Sequence, residues 1–134
     1  MIILDTSAVI DFTRGNSSLA ELITSAESRG QQVAVTSLSV FELLIPFLHR
    51  RMPNKERVLR AFLLNVRVLP FDSQAAEQSA RIMSSLLKVG KPLNVVDAMI
   101  AGIASSNNSE LLITKDKDFK VIESVTDLNI RLIS

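Results

Sequence analysis

The sequence has no cysteine, tryptophan or tyrosine, and a single histidine. Without cysteine there is no thiol catalysis, no disulfide and no Cys-ligated zinc, which suits a cytoplasmic protein. His49 lies beside Arg50 and Arg51 and reads as a solvated helix-end residue. One histidine cannot make a multi-His metal site, and a solvated helix-end residue does not suit a His-dependent triad. Six phenylalanines are the only aromatics, so base stacking is not a visible mode of recognition. No apolar run nears the roughly 20 residues that a bilayer span needs, and the N-terminus has no basic stretch with a cleavage site. The expectation is a protein with no membrane attachment. A net charge of only +1 gives no global sign of a nucleic-acid partner. Repeats, linkers and low-complexity segments are also absent.

What is there is apolar. Hydrophobic residues make up 47% of the 134 residues, and the mean hydropathy is +0.28. That is enough for one domain over 1–134 with a substantial core. It is also high for a monomer, and the short helical stretches carry Phe41, Leu44, Phe47, Leu48, Phe62 and Leu63. The expected outlet for this surplus is a homodimer interface.

Strand-like apolar runs fall at 2–4, 33–36, 66–69, 111–114 and 128–133, and helix-period stretches near 7–14, 18–29, 39–50, 54–64, 73–89 and 95–107. This alternation predicts an α/β fold whose mostly parallel sheet is covered on both faces. The run 128–133 alternates in polarity and belongs at an edge. The routing of 73–89 stays open, because an ordinary crossover would leave the chain at the wrong edge.

Four acids interrupt apolar segments: Asp5 after Ile2-Ile3-Leu4, Glu42 within Phe41-Glu42-Leu43, Asp97 between Val96 and Ala98, and Asp116 after Ile113-Thr114-Lys115. A carboxylate among apolar neighbours is desolvated unless something compensates it. Asp5 and Asp116 follow strands directly, at the carboxyl edge where open α/β sheets form their sites. Helix 39–50 follows strand 33–36, so Glu42 is expected in a first helical turn at that edge. Helix 95–107 must lead into strand 111–114, which puts Asp97 there as well.

Each acid also has a local reading. Ser39-Val40-Phe41-Glu42 fits a capping box, and Asn94-Val95-Val96-Asp97 imitates one. Asp5 fits a helix cap and Asp116 an Asx-turn. Four unrelated caps need not share one sheet edge, whereas one metal site must. Clustered carboxylates without Cys or His suit a hard divalent ion, Mg²⁺ or Mn²⁺. Such an ion activates water and offsets the charge that develops in phosphodiester hydrolysis.

The residues from Met1-Ile2-Ile3-Leu4-Asp5-Thr6-Ser7 to Asp11, then Ser39-Val40-Phe41-Glu42-Leu43, then Asn94 through Asp97 to Ala101, and finally Thr114-Lys115-Asp116-Lys117-Asp118-Phe119 resemble PIN-domain ribonucleases. The likeness is greatest to the VapC-type toxins of toxin–antitoxin pairs and runs in order over essentially the whole chain. The resemblance implies a three-layer α/β/α domain with a four- or five-stranded parallel sheet. It also implies a Mg²⁺- or Mn²⁺-dependent endoribonuclease that cuts RNA, a homodimer, and inhibition by a small antitoxin. By matched position Asp5, Glu42, Asp97 and Asp116 form the acidic site, Thr6 and Thr114 are its hydroxyl supports, and Asp118 can share or replace the role of Asp116.

Pro46, four residues after Glu42, removes the hydrogen bond that the Glu42 carbonyl would accept and suits a packing bend. Segment 50–60 sets Arg50, Arg51, Lys55, Arg57 and Arg60 against Glu56 and reads first as a solvated face, second as a grip on phosphates. Lys115, Lys117 and Lys120 are expected nearer the acids. The alternative function is a catalytically silent metal-binding or receiver-like signalling domain, with Asp72 imitating a phosphoacceptor. Such a domain wants two adjacent acids after strand one, where only Asp5 stands.

Overall fold

The computed structural model describes residues 1–134. Five strands form one sheet: β1 (Ile2–Leu4), β2 (Val33–Thr36), β3 (Arg67–Leu69), β4 (Leu111–Thr114) and β5 (Asn129–Leu132). Their order is β3-β2-β1-β4-β5 and all neighbours are parallel. Six helices connect them: α1 (Thr6–Thr13), α2 (Ser17–Ser28), α3 (Ser37–His49), α4 (Pro53–Leu63), α5 (Ser73–Lys88) and α6 (Val95–Ser106). A 3₁₀ segment, Lys117–Ser124, joins β4 to β5.

Strand side chains alternate between the two faces, and the register carries this across the sheet. Ile3 pairs with Ala34 and Leu112, and Leu112 pairs with Ile130. These four residues share one core with Ile82, Leu86, Ile100 and Ile103 of α5 and α6, and with Phe119 of the 3₁₀ segment. Ile2, Leu4, Val33, Val35 and Ile113 point the other way and pack with residues of α1 to α4. The result is three layers, with β1 wholly buried at the centre. No helix is long and apolar enough to cross a membrane.

β5 takes the edge position that its alternating sequence predicts. The open routing is also resolved. α5 and α6 pack on each other more extensively than any other pair of elements. Gly102 permits this, since a Cβ there would overlap Ser79 Oγ and stand 2.7 Å from the Ala75 carbonyl oxygen. Gly90, at φ +72°, turns the chain after α5. Asn94 then caps α6 by accepting from the Val96 N–H, and the chain re-enters at the edge that holds Asp5.

The helix starts need one correction. α3 begins at Ser37, with Thr36 Oγ1 accepting from the Ser39 N–H at 3.1 Å. The capping box does not form, and Glu42 lies in the second turn rather than the first. Thr36 wins because it already stands at the end of β2 in extended conformation. Pro46 sits inside α3, which continues through it to His49, exposed in the last turn.

The surplus apolar residues also divide. Leu44, Phe47, Phe62 and Leu63 pack against the α1–α4 core, and Phe62 meets Phe12 with ring centroids 5.2 Å apart. Phe41 and Leu48 stay exposed, together with Ile45.

Candidate active site

Asp5 is only 4% exposed, in the buried end of β1, and its carboxylate is heavily hydrogen-bonded. Oδ1 accepts from the Ser7 N–H (2.8 Å), the Ala8 N–H (3.2 Å) and the Ser7 hydroxyl (2.6 Å). Oδ2 accepts from the Thr114 hydroxyl at 2.7 Å. Asp5 is therefore the cap of α1 and also an anchored acid facing the edge. Thr114, at the end of the neighbouring strand, spans β4 to β1 with one bond. Its oxygen also accepts from the Asp116 N–H at 2.9 Å, which holds the turn after β4.

Glu42 is half-buried and receives the Thr6 hydroxyl at 2.7 Å. Thr6 Oγ1 lies 2.9 Å from Ser39 Oγ, and Ser39 is fully buried. Asp116 makes the anticipated Asx-turn, its Oδ1 accepting from the Asp118 N–H at 2.9 Å. Asp118 itself is exposed.

Asp97 differs from all of these. It stands half-buried in the first turn of α6, and no protein donor or cation reaches its carboxylate. Its pKa is pushed up from 3.8 to about 6, first by burial and then by the charges of Asp116, Asp5, Glu42 and Asp118. Those four neighbours come from three other segments of the chain. The repulsion shows that acids from four segments of the chain lie near one another at this edge.

No three acidic side chains, as they stand, close on one point as a ready ligand cage. Mg²⁺ does not ask for one, because it keeps several waters and binds through one or two carboxylates. The donor set of hard oxygens, with Asp97 lacking any protein partner, fits such an ion.

Two of the three lysines require a correction, while Lys117 is exposed and has no ion-pair partner. Lys115 Nζ is paired with Asp11 at 3.2 Å. Lys120 is turned away from the acids, held by Glu123 at 3.0 Å and by the Ile130 carbonyl at 3.1 Å. A backbone acceptor on β5 outcompetes the acidic edge for that ammonium. Asp72, which could have imitated a phosphoacceptor, follows an edge strand and caps α5 through the Ala75 N–H.

Sequence reasoning missed two hydroxyls. Ser7 donates to Asp5 and accepts from the Lys115 N–H at 2.9 Å, tying the loop after β4 to α1. Ser39 supports Thr6, where the sequence suggested only a cap. Both lie inside the motifs already noted, but their partners are distant in sequence.

Beyond the acids a cleft of about 430 Å³ opens between α1, α3 and α4. Thr6 and Glu42 form its inner end, and Arg14, Arg50 and Lys55 also line it.

The PIN domain family model matches residues 2–124. The ribonuclease VapC of Rickettsia bellii is 31% identical over 135 residues, covering 98% of this chain and 97% of the relative. Among solved structures, the VapBC2 complex of Rickettsia felis bound to a promoter DNA fragment superposes with a TM-score of 0.87 at 20% identity, covering all of both chains. VapBC-5 of Mycobacterium tuberculosis, a member of the VapBC family of toxin–antitoxin systems, gives 0.75 at 25% identity, covering 98% of this chain and 97% of that one.

Proposed function

We propose, from the premise that this chain belongs to the PIN-domain family and within it to the VapC branch, that it is an endoribonuclease acting as the toxin of a toxin–antitoxin pair. The observation that carries the reading is Asp97, an acid with no protein partner among four other carboxylates. A fold keeps such repulsion where an outside cation relieves it. Asp5, Glu42, Asp97 and Asp116 are the residues that would hold Mg²⁺ or Mn²⁺. When bound, the ion supplies an activated water and offsets charge on the phosphoryl oxygens.

The chain's own groups set the geometry. Thr114 and Ser7 lock the Asp5 carboxylate from both sides, so its remaining lone pairs point in a fixed direction. Thr6 does the same for Glu42 from the cleft side. Asp116 holds the turn that follows β4, and Asp118 adds negative charge at the rim. With these donors in place the site needs no protein nucleophile.

A homodimer and a small antitoxin complete the reading. Exposed Phe41, Ile45 and Leu48 recur along α3 and supply an apolar stripe for association. The RNA substrate and the absence of cysteine are consistent with work in the cytoplasm. The test is cleavage of labelled RNA by purified protein. EDTA should stop it and added Mg²⁺ or Mn²⁺ should restore it. Cleavage that persists in EDTA would remove the metal assignment, and absence of cleavage under all conditions would remove the nuclease.

A further inference from the structure

An acidic centre repels the phosphates it is meant to cut, so a nuclease of this kind needs cations close by to hold the strand. Of the three lysines expected near the acids, Lys115 and Lys120 are neutralised by Asp11 and Glu123, and Lys117 is exposed and does not line the cleft described above. Arg60 is likewise paired with Glu56 at 2.8 Å. Arg14, Arg50 and Lys55 are different. All three are exposed, and none makes a salt bridge or a side-chain hydrogen bond. They come from the end of α1, the end of α3 and the start of α4, yet they line one cleft. That cleft begins at Thr6 and Glu42.

We propose that the cleft between α1, α3 and α4 is the track along which single-stranded RNA enters the acidic centre, with Arg14, Arg50 and Lys55 gripping backbone phosphates beside the scissile bond. The inference rests on the nuclease reading and adds its substrate path. Charge complementarity selects the occupant: three unpaired cations stand around a cleft with a single acid, Glu42, at its inner end. Phe47 and Val58 add apolar surface to the lining. The volume of about 430 Å³ falls within the roughly 300–1,000 Å³ usual for ligand clefts. Pro46 lines the same cleft.

Two readouts test this. The first is steady-state cleavage by the wild type and by the Arg14→Gln/Arg50→Gln/Lys55→Gln variant. KM should rise at least about tenfold with kcat nearly unchanged, the mark of weakened uniform binding. The second is binding of labelled single-stranded RNA by the Asp97→Asn protein, with and without the same three changes, over a range of salt. For every phosphate that is no longer gripped, the slope of log affinity against log salt should fall by about 0.7. Arg81→Gln, at an exposed pair with Glu77 outside the cleft, should change neither. Arg50→Lys alone should keep most of the slope, since the charge remains. All four sites are exposed, and a thermal melt checks the fold. If the wild type cleaves RNA while the triple variant keeps its KM and salt slope, the track is wrong and the nuclease stands. Weaker affinity for a co-purifying protein partner, with KM for RNA unchanged, would make the cleft a protein groove and equally overturn the proposal. A wild type that never cleaves RNA fails the nuclease reading instead.

Discussion

Glu123, in the 3₁₀ segment beside β5, carries two donors, whereas Asp97, at the start of α6, carries none. The Ile130 N–H and Lys120 both reach Glu123 and hold its carboxyl below the usual range. At Asp97, burial and four acids push the carboxyl up to about 6. One chain thus contains an acid satisfied by its own fold and an acid left for something else. At the amino edge the contrast repeats, for Glu110 meets the N-terminal ammonium at 3.5 Å and the Gln31 side-chain amide at 2.8 Å. Among the acids that are not exposed, Asp97 alone has neither a donor nor a cation on its carboxylate. Folding alone gives no reason for that exception, and perturbed acids of this kind concentrate at functional sites.

The largest break in this comparison comes from Asp97→Asn. It should lower RNA cleavage by more than about 100-fold, beyond the 10–100-fold typical of groups that only support a metal ligand. Circular dichroism should show the fold intact. The same change should stabilise the metal-free protein at neutral pH, because it removes the repelled charge. The sign follows from linkage. A folded-state pKa raised from 3.8 to about 6 gives a contribution that is fully present below pH 3.8 and lost as pH rises through about 6. The melting temperatures of variant and wild type should therefore diverge across that window. Mg²⁺ should raise the melting temperature of the wild type and do much less for the variant. Equal activity in both proteins would end the assignment of Asp97.

Thr114→Val sharpens the comparison from the other side, because it leaves a satisfied acid short of one donor. Asp5 keeps its Ser7 and Ala8 bonds but loses the 2.7 Å bond from β4. Cleavage should fall about 10–100-fold, as for other groups behind a metal ligand. Stability should fall by about 1.5–3 kcal/mol, the range for hydrogen bonds to charged groups. Denaturant melts and steady-state rates together check it. A variant with normal activity would show that Ser7 and the α1 backbone orient Asp5 unaided.

Gly102→Ala acts on position rather than charge. The new Cβ would overlap Ser79 Oγ and the Ala75 carbonyl, so α5 and α6 must separate. Overpacking of this kind costs about 1–3 kcal/mol. Because α6 carries Asp97, activity should drop along with stability. Unchanged thermal stability would mean that the helix pair adjusts freely.

These contrasts also explain what the sequence could reveal. The buried strands β1 and β2 and the nearly buried β4 were legible because unbroken apolar runs between helical stretches have few other uses. The four acids stood out in sequence because each interrupts or closely follows such a run. The start of α3 was not, since Thr36 and Ser39 are both good caps and only the end of β2 decides between them. Nor was the fate of the lysines. Nothing near Lys120 in sequence announces that the Ile130 carbonyl, ten residues on, will hold it. Gly102 gave no local sign of its contact with α5, because that contact depends on how two helices cross.

The smallest effect should come from Glu123→Gln, which tests whether the satisfied acid is as functionally inert as its bonding suggests. Cleavage should match the wild type, because Lys120 is already turned away from the acidic edge and its release adds one mobile cation at most. Stability should fall slightly, and its pH dependence should run opposite to that of Asp97. A folded-state pKa below the ordinary 4.5 contributes stability that is present above pH 4.5 and lost as the pH falls through the folded value. Melts at neutral pH should therefore separate variant from wild type, and melts in stronger acid should bring them together. If Glu123→Gln instead changed the KM for RNA, the freed Lys120 would be reaching substrate, and the division between the two acidic regions would be less complete than their hydrogen bonds imply.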